Sequence, residues 1–221
     1  MNGWWVSEIL NDPGRGPAVL VSWVVLVIGS IVLHELAHGW AALWQGDTTP
    51  RDTGHMTWNP MVHMGPTSLI VFAVIGIAWG AMPVDPSRFR DRYGDAWVSL
   101  AGPVMNIALA ALSFVALVAW TVLGSGVSDP LHGNLWMFFW LGAWLNLILA
   151  AFNLLPVLPL DGGRIAASLS RGYAEFAYGE NGQWLMLGGF ILFFWFGFDY
   201  LAVGVSFVLE TALSGVLAIL P

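Results

Sequence analysis

The chain has no cysteine and no lysine, and its seven basic residues are all arginine. Without cysteine there is no disulfide framework, no thiolate metal site and no cysteine nucleophile. Any metal must therefore be held by His, Asp or Glu. Charge is scarce as well: 10% of the 221 residues are charged, against about 25% in an ordinary soluble domain. With 57% hydrophobic residues and a mean hydropathy of +0.73, the composition implies an integral, multi-pass protein whose first partner is the lipid bilayer. The net charge of −7 gives no support for nucleic-acid binding. The first ten residues carry no positive charge. The first long apolar stretch carries polar residues that a cleaved signal peptide would discard, so that stretch is expected to be retained.

A bilayer core of about 30 Å needs roughly 20 apolar residues per helix. Pro17 to Trp44, Ala96 to Leu123, Leu135 to Leu158 and Leu201 to Leu220 meet or approach that length, and Thr67 to Met82 and Trp184 to Phe198 are shorter. The predicted fold is an all-α polytopic membrane protein of about six apolar segments. Five or six of them span, and a small β-hairpin follows the first helix, ending near Asn59-Pro60. One domain is expected over 1–221, with a catalytic core at about 17–171 and a C-terminal helical hairpin at about 184–220, Asp199 marking its turn. Arg51, Arg88, Arg90, Arg92, Arg164 and Arg171 all fall on the cytoplasmic side by the positive-inside rule if Thr67 to Met82 dips in and returns. The alternative is a short, tilted span.

The one polar cluster in the first apolar stretch is His34-Glu35-Leu36-Ala37-His38. Residues four apart share a helix face, so the two imidazoles can grip one metal ion. Glu35 beside them can hold the water that a zinc ion activates. The bare pattern is moderately specific, but an ionisable residue inside hydrocarbon is costly and marks function by default. A catalytic zinc site usually takes three protein ligands and leaves one position open. Asp161 is the best third candidate. It follows a helix broken by Pro156 and Pro159 and precedes two glycines, where a carboxylate in apolar surroundings calls for a cation. The competing reading is an aspartate capping the next helix.

Taken together, the HExxH helix and Asn153-Leu154-Leu155-Pro156…Pro159-Leu160-Asp161-Gly162-Gly163-Arg164 resemble the site-2 proteases, the zinc intramembrane metalloproteases of peptidase family M50. Thr57-Trp58-Asn59-Pro60-Met61-Val62-His63, Met82-Pro83-Val84-Asp85-Pro86 and Ala101-Gly102-Pro103-Val104-Met105-Asn106 extend the resemblance to about Gly29–Arg171. It implies His34, His38 and Asp161 as ligands of one Zn2+ per chain and Glu35 as the catalytic acid/base. It also implies that Asn153 orients substrate or stabilises an oxyanion. The implied function is an endopeptidase that cuts single-span transmembrane proteins, with its active site toward the cytoplasm of a prokaryotic inner membrane. No counterpart of the family's PDZ and CBS modules is seen in these residues, so by this resemblance the minimal, membrane-only form is expected. Met64 departs from the pattern, since relatives often carry an acidic residue there.

Two other functions compete: a membrane metal-ion transporter, and a catalytically silent relative that binds clients. A membrane zinc peptidase of another type would draw its third ligand from Glu175 or Glu180. His55 and His63 are expected to be exposed or hydrogen-bonded, with His63 a candidate to orient a ligand. His132 is expected to be solvated. Asn106 and Asn146 are expected to pack between helices, where such a hydrogen bond contributes about 1 kcal/mol. Glu210 has no role legible in the sequence.

Overall fold

In the computed structural model, residues 5–219 are described and no strand occurs among them. The short α1 (Trp5–Leu10) leads into α2 (Gly16–Gln45), a 30-residue helix with Pro17 in its first turn. Gly46, with φ 97°, closes α2 by turning its N–H back to Ala42 and Leu43, a left-handed position that glycine adopts without steric cost. The expected β-hairpin is replaced by α3 (Thr49–Asp52) and tight turns. The reason is local. The buried Asp47 carboxylate accepts from the Thr49 N–H and hydroxyl, and that Asx turn favours helix over ladder.

Helix α4 (Pro60–Ile75) starts at an Asn59 cap and is kinked at Gly65, whose φ of 66° and ψ of 168° only glycine adopts readily. After Gly76 the chain turns back in extended form. Ser68 Oγ donates to the Trp79 carbonyl and accepts the Trp79 N–H, and the Ala81 N–H reaches the carbonyl of His63. The two ends of Thr67 to Met82 therefore lie close together. The return ends at the foot of α2, where the Asp85 N–H donates to Asp47 Oδ2 at 2.7 Å and the Arg90 N–H to the Gln45 carbonyl at 2.9 Å.

Helices α5 (Gly94–Leu123) and α6 (Leu131–Asn153) form an antiparallel pair, and α5 also lies along α2. Short helices α7 (Asp161–Leu169) and α8 (Arg171–Ala177) follow at the end of the bundle that holds the foot of α2. There Arg164 pairs with Asp95 at 2.6 Å. Apolar packing between α2, α4 and α6 centres on Val27, Ile31, Met64, Phe72 and Leu145.

The expected C-terminal hairpin is a single helical run instead. Helix α9 (Glu180–Leu192) passes through a π-helical segment, Phe193–Gly197, directly into α10 (Phe198–Ile219). Gly197 and Asp199 suggest a turn in sequence. However, Phe190, Phe194 and Phe198 stack at four-residue spacing, 6.5 and 5.9 Å apart, and carry the helix through it. Leu220, where the last expected segment ends, lies outside the described residues. Instead of six segments, the described residues form four runs long and apolar enough to cross a membrane, Gly16–Gln45, Gly94–Gly126, Leu131–Asn153 and Glu180–Ile219, plus the shorter α4.

Burial alone would raise the Asp47 carboxyl, but the bonds from Asp85 and Thr49 outweigh it and hold the group below the ordinary aspartate value. A lowered folded-state value stabilises the fold above the unfolded value and is lost as pH falls through the folded one. Asp47→Asn is therefore expected to lower the melting temperature at neutral pH. The gap to wild type should close as pH drops below about 4. Thermal unfolding in detergent across pH 3–8 checks this, and a gap constant with pH contradicts it.

Candidate metal centre

His34 and His38 face the bundle interior from α2, both buried. His34 lies about 16 Å from the Gln45 end at the helical rise of about 1.5 Å per residue. Asp161, 8% exposed, opens α7 on the far side. It is brought there by Gly162 and Gly163. A Cβ on either would run into the backbone of Leu154, Leu155, Val157 or Leu158, so the start of α7 can nest in that loop only without side chains.

The three groups converge. His34 Nε2 and His38 Nε2 are 3.0 Å apart, and Asp161 Oδ2 is 3.2 and 3.3 Å from them. The remaining ring nitrogens are engaged: His34 Nδ1 lies 2.6 Å from Asn106 Oδ1 and His38 Nδ1 2.7 Å from the carbonyl of Val98. Both partners are acceptors, so each Nδ1 carries its ring's proton and each Nε2 presents a lone pair. Three buried acceptor atoms therefore meet with no donor between them, and Asp161 Oδ2 has no hydrogen-bond partner. Lone pairs at such distances repel unless a cation lies among them. Ligands about 2.0–2.2 Å from a tetrahedral zinc stand about 3.3 Å from one another, so the donor set and its spacing fit that ion.

Glu35, 7% exposed, accepts no hydrogen bond from a described residue. The return segment lies directly against it, since a Cβ on Gly80 would stand 2.7 Å from Glu35 Cγ and Oε1. A cavity of about 570 Å³ opens beside the three ligand groups, lined by Glu35, Ile77–Met82, Phe152, Asn153, Arg164, Phe190 and Phe194 among others. Asn153 lines this cavity with its amide nitrogen bonded to the Leu149 carbonyl. Glu175 and Glu180, the alternative third ligands, lie outside the cluster, and Glu175 pairs with Arg171.

His63 is buried rather than exposed, and its Nε2 donates to the Thr57 carbonyl at 2.7 Å, tying down the loop before α4. His55 binds Thr53. His132 stacks on Trp120 with centroids 5.9 Å apart instead of being simply solvated. Glu210 borders a separate shallow cavity with Trp136 and Trp140. Asn106 and Asn146 do more than pack. Both are buried, they bond to each other at 2.9 Å, and Asn106 reaches a ligand histidine. Asn106 stands in the Ala101–Asn106 stretch that carries part of the resemblance, whereas Asn146 has no sequence signal beyond an asparagine within an apolar helix.

Two glycines back the site and make separable predictions. A Cβ on Gly102 would stand 2.5 Å from Nε2 of both histidines, whereas one on Gly80 meets Glu35. Gly102→Ala is expected to lower zinc affinity by about tenfold or more, the low end of the cost of disturbing ligand orientation. Gly80→Ala should leave zinc content at the wild-type level. Metal analysis of the purified variants distinguishes them, and equal zinc loss in both would contradict the placement.

Residues 22–196 match the model of peptidase family M50. Over 148 residues the chain is 39% identical to "Putative zinc metalloprotease YwhC" of Bacillus subtilis, covering 66% of this chain and 68% of that protein. It is 35% identical over 151 residues to "Putative zinc metalloprotease Rip2" of Mycobacterium tuberculosis, covering 65% of this chain and 54% of that protein. A more distant relative is "Putative zinc metalloprotease MJ0611" of Methanocaldococcus jannaschii, 26% identical over 163 residues, or 72% of this chain and 76% of that protein. No solved structure matches the chain. The family model covers most of the sequence, including every residue of the three-ligand cluster, and the chain belongs to peptidase family M50, the site-2 proteases.

Proposed function

We propose that this chain is a zinc-dependent intramembrane endopeptidase that hydrolyses peptide bonds in the transmembrane helices of single-span proteins. One observation carries the reading: three buried acceptors, His34 Nε2, His38 Nε2 and Asp161 Oδ2, converge beside an unbonded Glu35 on a helix of membrane-spanning length. When bound there, one zinc ion supplies a Lewis acid that activates water and polarises the scissile carbonyl. Glu35 takes the proton of the attacking water at its carboxylate and passes it to the leaving amide nitrogen. Asn153, on the cavity wall, is placed to orient the substrate backbone or to donate to the developing oxyanion.

A transmembrane substrate must unwind before it can react, because its helical carbonyls are hydrogen-bonded. The return segment offers the unwound chain somewhere to bind. The N–H and C=O groups of Gly80 and Met82 have no partner among the described residues, and both line the cavity, so an extended strand can pair there. Six of the seven arginines lie at the foot of α2 or beyond α6, with Arg15 at the opposite end. The positive-inside rule then sets the foot of α2 in the cytoplasm of a prokaryotic inner membrane, and water reaches the site from that side.

Zinc content and cleavage of a model transmembrane substrate, measured in detergent or liposomes, test the proposal. Glu35→Gln is expected to keep zinc and lose about 10²–10⁴-fold in cleavage rate, the range for removing a general acid/base. Asp161→Ala is expected to weaken zinc binding. Undiminished cleavage by Glu35→Gln would sink the mechanism. Single cysteines placed near Arg90 in the cysteine-free background should react with impermeant reagents only from the cytoplasmic side.

A further inference from the structure

The ligand histidine His34 on α2 is connected to α6, a helix that supplies none of the three ligand atoms. Asn146 Nδ2 donates to the Gly142 carbonyl at 2.9 Å, Asn146 Oδ1 accepts from Asn106 Nδ2 at 2.9 Å, and Asn106 Oδ1 lies 2.6 Å from His34 Nδ1. Asn106 is 0% exposed and Asn146 2%, so water does not compete for these groups. An amide has one donor end and one acceptor end, so the direction of such a chain matters. A backbone carbonyl can only accept. Asn146 must therefore turn its NH2 to Gly142 and its oxygen to Asn106. Asn106 must answer with its own NH2, which leaves its oxygen facing His34. The imidazole then has no choice but to carry its proton on Nδ1 and leave Nε2 bare toward Asp161 and His38.

From this geometry we infer that Asn106 and Asn146 are positioning residues. They form a directional relay, anchored at the Gly142 carbonyl of α6, that fixes the tautomer and ring orientation of His34 for metal binding. The inference rests on the proposed zinc reading for its consequence, but not for its geometry. A buried polar pair serving only helix packing would work with either amide orientation and would place no demand on His34. The relay makes the ligand set depend on α6, which contributes none of the three ligands. His38 has a shorter device, the Val98 carbonyl, which cannot be reversed and needs no second partner. The two histidines therefore differ in how far away their orientation is decided.

The test uses the full chain in detergent, labelled with 15N-histidine, with and without added zinc. A His34→Gln variant assigns the His34 signals by difference. Wild type is expected to show a proton on Nδ1 of His34. Asn106→Leu, which removes the acceptor, should weaken zinc binding by about 10–100-fold and give His34 a mixture of tautomers. Asn106→Asp keeps an acceptor toward Nδ1 but loses the donor to Asn146, so it should hold the His34 proton on Nδ1 and recover part of the affinity. Asn146→Leu, two hydrogen bonds from the His34 ring, should leave Asn106 free to reverse, with a smaller loss of affinity and the same spectral mixing. Folded Asn106→Leu with wild-type zinc affinity and an unmixed spectrum would overturn the relay. If Asn106→Leu does not fold, Asn146→Leu decides, and an unchanged His34 spectrum there overturns it equally. If wild type binds no zinc, the metallopeptidase reading fails instead. The His34 signal of the metal-free protein then still judges the relay, supporting it if Nδ1 carries the proton and refuting it if only Nε2 does.

Discussion

Three buried acceptor lone pairs held within about 3 Å of one another are unstable unless something positive joins them. Much of the surrounding structure serves to keep them there. Hydrogen bonds from Nδ1 of each histidine remove the protons that could have bridged the gap. Gly162 and Gly163 admit α7 to the 154–158 loop so that Asp161 arrives at the right height. Gly102 brings the backbone of α5 up behind both imidazoles. Each device gives up a stabilising option, such as a neutral pair, a side chain or a looser contact, for an arrangement that is favourable only with a cation present.

The second constraint is access. Under the proposed function, water and an unwound peptide have to reach a centre roughly three turns inside a helix of membrane-spanning length, past backbone that is not left unpaired at random. The return segment meets both demands. Ser68 satisfies both polar groups of Trp79, His63 satisfies Ala81, and Asp47 captures Asp85. Between those anchors Gly80 rests on Glu35, with its own amide groups facing no described partner. The segment is fixed at its ends and open in the middle, where Glu35 sits.

How far this was legible in the sequence depended on whether a feature was local. The pairing of His34 with His38 needs only helical periodicity, and Asp161 announced itself by the prolines and glycines around it. The hairpin after α2 was misread because Asp47 turns Thr48-Thr49-Pro50 into a helical turn, a capping event decided by one side chain. The break expected at Asp199 was misread because Gly197 and Asp199 are turn-formers in isolation, while the Phe190–Phe194–Phe198 stack spans them. Asn106 and Asn146 were placed correctly between helices, but their purpose was invisible. The direction of an amide chain is set by a carbonyl on another helix, and no spacing rule carries that information.

In a chain without cysteine, the group between α2 and α7 is, among the described residues, the place where a metal ion could tie distant parts together. His34 and Asp161 lie well over a hundred residues apart, so a metal held by both would close a very long loop. By the loop-closure entropy that describes cross-links, a tie across about 100 residues is worth about 4–5 kcal/mol. The ion would then act as the staple of the fold as well as its reagent. Chelation would then loosen the seam between α2 and α7 in the same event that removed the reagent.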